Sequence, residues 1–264
     1  LYNLKEINPS CKNILSIWGN DLYFFYQHNN HKKKLRLLLK NIHFLHGECS
    51  RDEKIARSLG FEGKTLPPCS ITMTDIDHFY NLSRHNKKIK KDFYVWVKGS
   101  YYLRSNINYF FDDIRNNLSF WKDKKIVCIG TTEEDNFYIE KLNSMLAENI
   151  EYHAWMTFDE YMDYLSRSKY HLTCNLSDGI LNSAAESAFL NCLPIFSRDT
   201  GLCEFLDQKL IEDITYDFNR LSFMDLFQKL DNGDIIRIKS TDNFVKIEGE
   251  ALRNLYYEYL PSDT

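Results

Sequence analysis

The feature that most constrains this chain is a regular alternation of short apolar runs and amphipathic runs between residues 93 and 176. β-Branched and aromatic residues favour strands in the apolar runs, and apolar residues recur at helical spacing in the others. The predicted strands are 93–97, 125–129, 150–153 and 170–176, and the predicted helices between them are 105–119, 137–146 and 158–166. Such a succession favours parallel strands joined by right-handed crossovers. The sequence therefore predicts an α/β domain built on a parallel sheet.

A shorter set of similar runs comes before this domain. Residues 12–17 read as a buried strand, and the apolar run 42–45 reads as another. Residues 51–59 form an amphipathic pattern that stops at Gly60, as helices often do. The strongly basic segment 84–92 (RHNKKIKKD) is polar throughout, which fits an exposed linker between two domains.

Residues 176–195 (LSDGILNSAAESAFLNCLPI) combine a small-residue turn with a helical run. Asp178 opens the turn, Glu186 follows eight positions later, and Pro194 ends the stretch. A helix that begins at such a turn points unpaired backbone N–H groups at any anion placed there. The stretch is thus a candidate site for a phosphate or another polar anion.

The same spacing permits a purely structural interpretation. Asn182 and Ser183 are good N-cap residues, and Glu186 stands three positions after Ser183, which is the spacing of a capping box. Under this interpretation Ser183 and Glu186 only cap a buried helix, and spacing alone leaves both interpretations open.

The order of residues in this stretch resembles the acidic E-x7-E signature of retaining GT-B glycosyltransferases, especially glycosyltransferase family 4 (group 1). An acid, a glycine, a short turn, a second acid and a G-x-P-like ending occur in that order, as Asp178, Gly179, 180–185, Glu186 and 191–194. Two positions depart from the family pattern. The first acid is Asp rather than Glu, and Asn191 stands where the family has Gly.

The resemblance implies a GT-B fold of two Rossmann-like domains, with much of the N-terminal domain absent from this sequence. We expect a partial N-terminal, acceptor-side domain at 1–85 and a C-terminal, nucleotide-sugar-binding domain with a parallel sheet at 86–246. By the same resemblance, residues 247–264 form a C-terminal helix that packs back on the N-terminal domain.

The resemblance also implies an activity. A family member transfers a sugar from a nucleotide-sugar donor, such as a UDP- or GDP-sugar, to a hydroxyl of a glycan or lipid-linked acceptor, with retention at the anomeric carbon. The setting implied is cell-surface polysaccharide biosynthesis. By this resemblance Glu186 binds the donor ribose, and Asp178 with the amides of 179–181 holds the sugar hydroxyls. The implied donor-binding residues are Glu186, Gly179, Ile180, Leu181, Asn182, Ser183 and Trp155.

Three other segments support these assignments. Family members carry two basic residues after the first strand of the second domain, and Lys98 and Arg104 occupy this region in swapped order. Fixed cations there would offset charge that builds on the leaving diphosphate, so both join Asp178 as candidate catalytic residues. Trp155 lies in a segment similar to the loop near the nucleobase. Gly19 and Asp21 belong to a strand-end element similar to one that faces the acceptor. Solvent-facing bases and an ordinary turn remain the alternatives.

No metal and no cofactor is expected beyond the nucleotide-sugar itself. Asp75 and Asp77 form a D-x-D, the pattern that holds a divalent metal in GT-A glycosyltransferases, but the surrounding strand pattern of that class is missing. A single glycine, Gly130, follows the strand at 125–129, which argues against a nicotinamide-binding glycine fingerprint. The eight histidines include no pair for which the sequence indicates a shared site.

The composition of the chain limits the classes of partner that it is expected to bind. The formal net charge of −4 gives no reason to expect nucleic acid as a partner. The seven cysteines are scattered singly, so we expect reduced, packed thiols and a cytoplasmic protein. The basic runs Lys32–Lys34 and Lys87–Lys91 are either solvated or make peripheral contact with the anionic inner face of a membrane.

One alternative function stays open at this point. A chain with Asp at position 178 and a partial first domain could be a non-catalytic nucleotide- or glycan-binding subunit of a polysaccharide assembly complex. Hydrolysis of the donor in the absence of acceptor separates the two functions, because many retaining transferases pass sugar slowly to water.

Overall fold

The structure is a computed structural model of the 264-residue chain. It describes residues 12–17, 20–23, 25–66, 89–99, 106–175, 178–179, 181–205, 215–217 and 222–232.

The first described part contains a small parallel sheet with the strand order β1-β2-β3. Its strands are β1 (Ile14–Ser16), β2 (Phe44–His46) and β3 (Lys64–Thr65). The segments between them form α1 (Asn20–Tyr23), a 3-10 turn (Phe25–Gln27), α2 (Asn29–Leu39) and α3 (Ser50–Ser58). Leu15, Leu45 and Ile55 belong to one buried cluster, so the two longer helices cover the sheet with their apolar sides.

The second described part contains a larger sheet of six parallel strands. These are β4 (Phe93–Lys98), β5 (Ile126–Ile129), β6 (Ile150–His153), β7 (Ser168–Thr173), β8 (Leu193–Ser197) and β9 (Thr215–Tyr216). Their order in the sheet is β6-β5-β4-β7-β8-β9. The chain therefore winds outward from β4 to one edge and then returns to β7 to build the other half. The prediction of an α/β fold with parallel sheets is confirmed.

Helices cover both faces of this sheet. They are α4 (Ile107–Asn116), α5 (Leu118–Trp121), α6 (Glu133–Leu146), α7 (Phe158–Ser166), α8 (Asn182–Phe189) and α9 (Phe223–Asp231), with a 3-10 turn at Gly201–Phe205. Val95 and Val97 pack with α4, α6 and α9 on one face. Trp96, between them, packs with α7 and α8 on the other face. This alternation is the period of two expected of a strand that is buried on both faces.

Local signals placed several boundaries correctly. The helix predicted at 158–166 begins and ends there, and Thr157 and Glu160 form a capping box at its start. The helix predicted at 137–146 begins one turn earlier, because Thr132 and Asp135 form a second capping box. The helix predicted at 105–119 is broken at Asn117, which separates α4 from α5.

Some predictions fall outside the described residues. The boundary between the two predicted domains, the D-x-D at 75–77 and the C-terminal helix at 247–264 all lie there. None of the described helices has the length and apolar character that a membrane span requires.

Candidate functional site

The strand order identifies the place where a ligand can bind. In an open parallel sheet, ligands occupy the crevice at the carboxyl ends of the strands where the winding reverses. Here the reversal lies between β4 and β7, which pair in parallel with Lys98 opposite Thr173. Lys98 ends β4, and Asp178 follows shortly after β7. The fold thus brings two predicted site residues to the same edge of the sheet.

The carboxyl group of Asp178 is held mainly by its own loop. Its Oδ2 accepts a hydrogen bond from Asn175 Nδ2 at 3.0 Å, and its Oδ1 accepts one from the backbone N–H of Gly179 at 3.0 Å. Burial raises the pKa of Asp178, while the Lys98 charge, the two hydrogen bonds and Arg51 act in the opposite direction. The net effect leaves an acidic group that is costly to ionise without a ligand.

Glu186 does not cap its helix. The N-cap residue of α8 is Leu181, without a side-chain cap, and both Asn182 and Ser183 lie inside the first turn. Glu186 Oε2 instead accepts a hydrogen bond from the Tyr161 hydroxyl at 2.5 Å. The capping-box interpretation of this stretch is therefore wrong, because a partner on α7 binds the carboxylate that would have reached back to the cap.

The positive charge of Lys98 interacts with both Asp178 and Glu186. Burial raises the pKa of Glu186, and the Tyr161 hydrogen bond and the Lys98 charge partly offset that rise. Burial also raises the pKa of Asp178, and the same Lys98 charge offsets part of that rise. Two carboxyl groups and one ammonium group thus interact at the carboxyl ends of β4 and β7. This arrangement can bind a ligand that carries both negative charge and hydroxyl donors.

Neutral polar side chains from β7, the loop after it and α8 lie close to these charges. Atoms of His171, Thr173, Asn175 and Ser183 are buried and have no aligned hydrogen-bond partner among the described residues. Burial, helped by Lys98, lowers the pKa of His171 to about 3, and the nearby Ser183 backbone offsets only part of this effect. His171 is therefore neutral at physiological pH. Unpaired buried polar groups are rare in proteins, so this concentration indicates a place where a ligand or ordered water supplies the partners.

The first part of the chain contacts this site through Arg51 in the first turn of α3. Arg51 donates hydrogen bonds to the backbone oxygens of Asp178 at 2.9 Å and Asp199 at 2.8 Å. The backbone N–H of Gly201 also donates to the oxygen of Asp178, at 3.0 Å. Arg51 thereby fixes the loop that carries Asp178 to the first sheet.

A second contact caps a helix across the two parts of the chain. The N-cap residue of α3, Cys49, has no side-chain cap. The Glu204 carboxylate takes that role, accepting from the Ser50 N–H at 2.7 Å, the Ser50 hydroxyl at 2.8 Å and the Arg51 N–H at 3.3 Å. An acidic group at this position satisfies free N–H groups and interacts favourably with the helix dipole.

Two glycines let these surfaces approach each other. A Cβ at Gly179 would lie 1.9 Å from Glu48 Oε2 and 3.0 Å from Glu48 Cβ. A Cβ at Gly201 would lie 2.6 Å from both Cβ and Sγ of Cys49. Gly179, predicted as a donor-binding residue, is thus also the point where Glu48 packs against the site.

The other predicted residues are placed as follows. Leu181 is buried, and Trp155 follows the edge strand β6 with its side chain 70% exposed. Because β4 and β5 lie between β6 and β7, Trp155 is at the far end of the same sheet edge. Asp21 lies in α1. Gly19, Arg104 and Ile180 lie outside the described residues. The role assigned to each of these residues stays a prediction.

Four residues of the site were not predicted. Tyr161 and His171 face it from the second part of the chain, and Glu48 and Arg51 face it from the first. Arg51 and Asp178 are 127 positions apart, so no local pattern connects them. His171 is different, since a titratable side chain inside an apolar strand is a signal that the sequence does carry.

Other chemistry is sparse in the part of the chain that the structure describes. It contains no group of three or more His, Cys, Asp and Glu side chains arranged to hold a metal ion. Cys49, Cys128, Cys174 and Cys192 are buried free thiols, and Cys203 is a partly buried free thiol. Burial raises the pKa of Cys49 and of Cys192 to about 12, so neither is a nucleophile at neutral pH. This agrees with the expectation of packed thiols.

No protein-family model and no curated protein sequence matches the chain. Solved structures do match it. Sucrose-phosphate synthase from Thermosynechococcus elongatus is similar with a TM-score of 0.69 at 14% identity, over 96% of this chain and 69% of that protein. The pneumococcal O-GlcNAc transferase GtfA, solved with UDP and GlcNAc, has a TM-score of 0.69 at 12% identity, over 95% and 52%.

The chain has a GT-B type fold. A third match, a UDP-forming α,α-trehalose-phosphate synthase from Burkholderia vietnamiensis, agrees with a TM-score of 0.61 at 10% identity, over 95% of this chain. The chain spans 66% of that protein, and it spans 61% of the N-terminal domain of a Candida albicans trehalose-6-phosphate phosphatase. At these identities the likeness establishes the GT-B architecture, and the activity has to be argued from the site.

Proposed function

We propose that the chain is a glycosyltransferase that moves a sugar from a nucleotide-sugar donor to a hydroxyl of an acceptor. The observation that carries this proposal is the meeting of Lys98, Asp178 and Glu186 where the winding of the GT-B sheet reverses. A nucleotide sugar presents a diphosphate and two sets of hydroxyls. One cation and two carboxylates are complementary to those groups.

Each residue has a distinct role in this proposal. Glu186 accepts hydrogen bonds from the ribose hydroxyls, and Asp178 with the amides of 179–181 holds the transferred sugar. Lys98, together with Arg104, stabilises negative charge on the departing diphosphate. Charge develops there in the transition state, so a fixed cation accelerates the reaction rather than merely binding the donor. No metal and no further cofactor enters the proposal.

The finer assignments belong to the same proposal. We infer a hexosyl-type enzyme of the family 4 kind that retains anomeric configuration, serves cell-surface polysaccharide synthesis and works in the cytoplasm with a UDP- or GDP-sugar. UDP is favoured as the first probe because GtfA was solved with it and the Burkholderia enzyme is UDP-forming.

Peripheral membrane contact is also part of the proposal. In α2, Lys33 and Lys34 are exposed beside Leu37, whose side chain is 64% exposed. Exposed bases next to an exposed leucine favour contact with an anionic lipid surface. This would suit a lipid-linked acceptor. The second basic run, Lys87–Lys91, stays a sequence-based part of this proposal, because residues 87–88 lie outside the described residues and Lys91 donates to the backbone oxygens of Ser166 and Leu190.

The decisive experiment is a thermal-shift titration with UDP, GDP, ADP and CMP, with and without magnesium. A ligand that binds only the folded state adds about 2.7 kcal/mol of stability at a hundred times its dissociation constant. We expect one nucleoside diphosphate to raise the melting temperature without magnesium. In the Glu186→Ala variant the affinity for that nucleotide should fall about tenfold, the value of one hydrogen bond to a charged group. Unchanged affinity would remove Glu186 from the donor site.

A non-catalytic binding subunit is the second candidate. It is favoured by Asp178, because both of its carboxylate oxygens already accept hydrogen bonds from Asn175 and Gly179. Incubation of the protein with UDP-sugars in the absence of acceptor separates the candidates. Slow release of UDP and free sugar supports the transferase, whereas binding without any release supports the subunit.

A further inference from the structure

Tyr161 connects two helices at the candidate site. It lies in α7, and its hydroxyl donates to Glu186 Oε2 on α8 at 2.5 Å. Among the described residues it is the only hydrogen-bond donor to this carboxylate, so Oε1 keeps its accepting capacity for a ligand. A carboxylate that is held at one oxygen and open at the other is oriented before its ligand arrives.

The ring of Tyr161 is itself fixed by packing. It makes an edge contact with Trp96, with ring centroids 5.3 Å apart, and a tilted contact with Phe158 at 6.2 Å. Trp96 is 1% exposed and sits on β4, two residues before Lys98. The neighbouring Met162 and Leu165 of α7 pack in the same buried cluster. The hydroxyl is thus placed by the sheet that also carries Lys98.

We propose that Tyr161 is a positioning residue that orients the Glu186 carboxylate, so that Oε1 meets the ribose hydroxyls of the donor. This inference rests on the proposed function for the identity of the ligand. It adds a residue that neither touches the reacting atoms nor belongs to the acidic signature around 178–186.

The electrostatics at this pair agree with the geometry. Burial raises the pKa of Glu186, and Tyr161 and Lys98 are the groups that counter it. Burial and Glu186 raise the pKa of Tyr161 far above its usual range, so the hydroxyl keeps its proton and remains a donor. Cys192 also faces Tyr161 and is neutral, because burial raises the pKa of its thiol to about 12.

The test uses Tyr161→Phe with Tyr164→Phe as the matched control. Both changes remove one hydroxyl from α7, and Tyr164 donates to Glu151 on β6 instead of Glu186. Carboxyl 13C NMR of glutamate-labelled protein, assigned with Glu186→Gln, reports the pKa of Glu186 without any ligand. We expect Tyr161→Phe to raise that pKa and Tyr164→Phe to leave it unchanged. An unchanged Glu186 pKa in Tyr161→Phe overturns the inference, whether or not a nucleotide binds.

Nucleotide binding gives the second readout. We expect Tyr161→Phe to weaken UDP binding about tenfold at pH 7, and more at pH 6 than at pH 8, because an acidic group with a raised pKa protonates earlier. Wild type and Tyr161→Phe should have equal affinity for 2′,3′-dideoxy-UDP, because this nucleotide lacks the ribose hydroxyls. Equal weakening for both nucleotides would contradict positioning through Glu186. If wild type binds no nucleotide, the proposed function fails, and the NMR measurement still decides the role of Tyr161.

Discussion

Acidic side chains at the two ends of β4 and β7 have opposite surroundings: donors are plentiful at the amino ends and few among the described residues at the carboxyl ends. At the amino ends, Asp231 accepts hydrogen bonds from Tyr94 at 2.8 Å, Tyr170 at 2.9 Å and Lys169 at 2.5 Å, and Lys124 lies 3.6 Å away. Although burial acts against it, these donors lower the pKa of Asp231. The carboxylate is ionised and fully occupied, and it fastens α9 to the sheet.

At the carboxyl ends of the same strands, donors are scarce. Among the residues that the structure describes, Glu186 has one donor, Tyr161, and Asp178 is bound by its own loop. The pKa of each is raised. Acidic groups with abundant partners stabilise a fold, whereas buried ones with few partners cost stability and persist where a ligand completes them. The amino ends of these strands therefore carry a structural acidic group, and the carboxyl ends carry the candidate functional ones.

The largest effect should come from filling the close approach at the carboxyl end. In Gly179→Ala the new methyl group would lie 1.9 Å from Glu48 Oε2, so one side must move. We expect about 3 kcal/mol lower free energy of unfolding in urea, with loss of nucleotide binding. The double variant Gly179→Ala, Glu48→Ala should recover most of the stability, because the clashing carboxylate is gone. No recovery would mean that Glu48 is not what makes the glycine necessary.

The second-largest effect should come from removing the Asp231 carboxylate at the amino ends of β4 and β7. Asp231→Ala removes the acceptor of two tyrosine hydroxyls and the partner of Lys169. We expect about 2 kcal/mol lower free energy of unfolding and unchanged UDP affinity. The control is Asp112→Ala, whose ion pair with Arg115 is 58% exposed on both sides and should contribute almost nothing. Weaker UDP binding in Asp231→Ala would contradict a purely structural role for Asp231.

The third effect concerns the cation at the carboxyl end. Lys98→Met should weaken UDP binding at least about tenfold, because a charge-assisted contact is lost and the pKa values of Asp178 and Glu186 rise further. Lys91→Met is the matched control. Lys91 donates to the backbone oxygens of Ser166 at 2.6 Å and Leu190 at 3.3 Å, so its loss should lower stability and leave the UDP affinity intact. Equal losses of affinity would point to a general effect of folding.

Whether a feature of this structure could be predicted depends on how far apart in the sequence its residues are. The strand–helix succession and the bounds of α7 depend on neighbouring residues, and both were predicted. The capping interpretation of Ser183 and Glu186 failed because Tyr161, 25 positions away, binds the carboxylate. The contacts of Tyr94 and Tyr170 with Asp231 span 137 and 61 positions. Sequence spacing does not show which distant residues become hydrogen-bond partners, because they meet only after the sheet has formed.

The resemblance indicated residues from separate segments of the chain, and their roles stay predictions. It indicated Asp178, Glu186 and Lys98, which the fold brings together at one edge. It said nothing of Arg51 and Glu48, which reach the site from the first sheet. Side chains from a distant part of the chain depend on how two surfaces meet, and a local motif carries no information about that.

The smallest effect has the most specific sign. Because the folded-state pKa of Glu186 is raised, its ionised form destabilises the folded protein. Glu186→Gln should therefore match wild type below the unfolded-state pKa and become more stable as pH rises through the folded-state pKa, by about 0.5 kcal/mol at pH 8. Asp231→Asn should differ in the opposite direction, because the lowered pKa of Asp231 contributes stability that is lost as pH falls. Urea unfolding of both variants and of wild type from pH 2 to pH 8 measures the two differences. Two curves of the same sign would contradict the contrast between the two ends of the sheet.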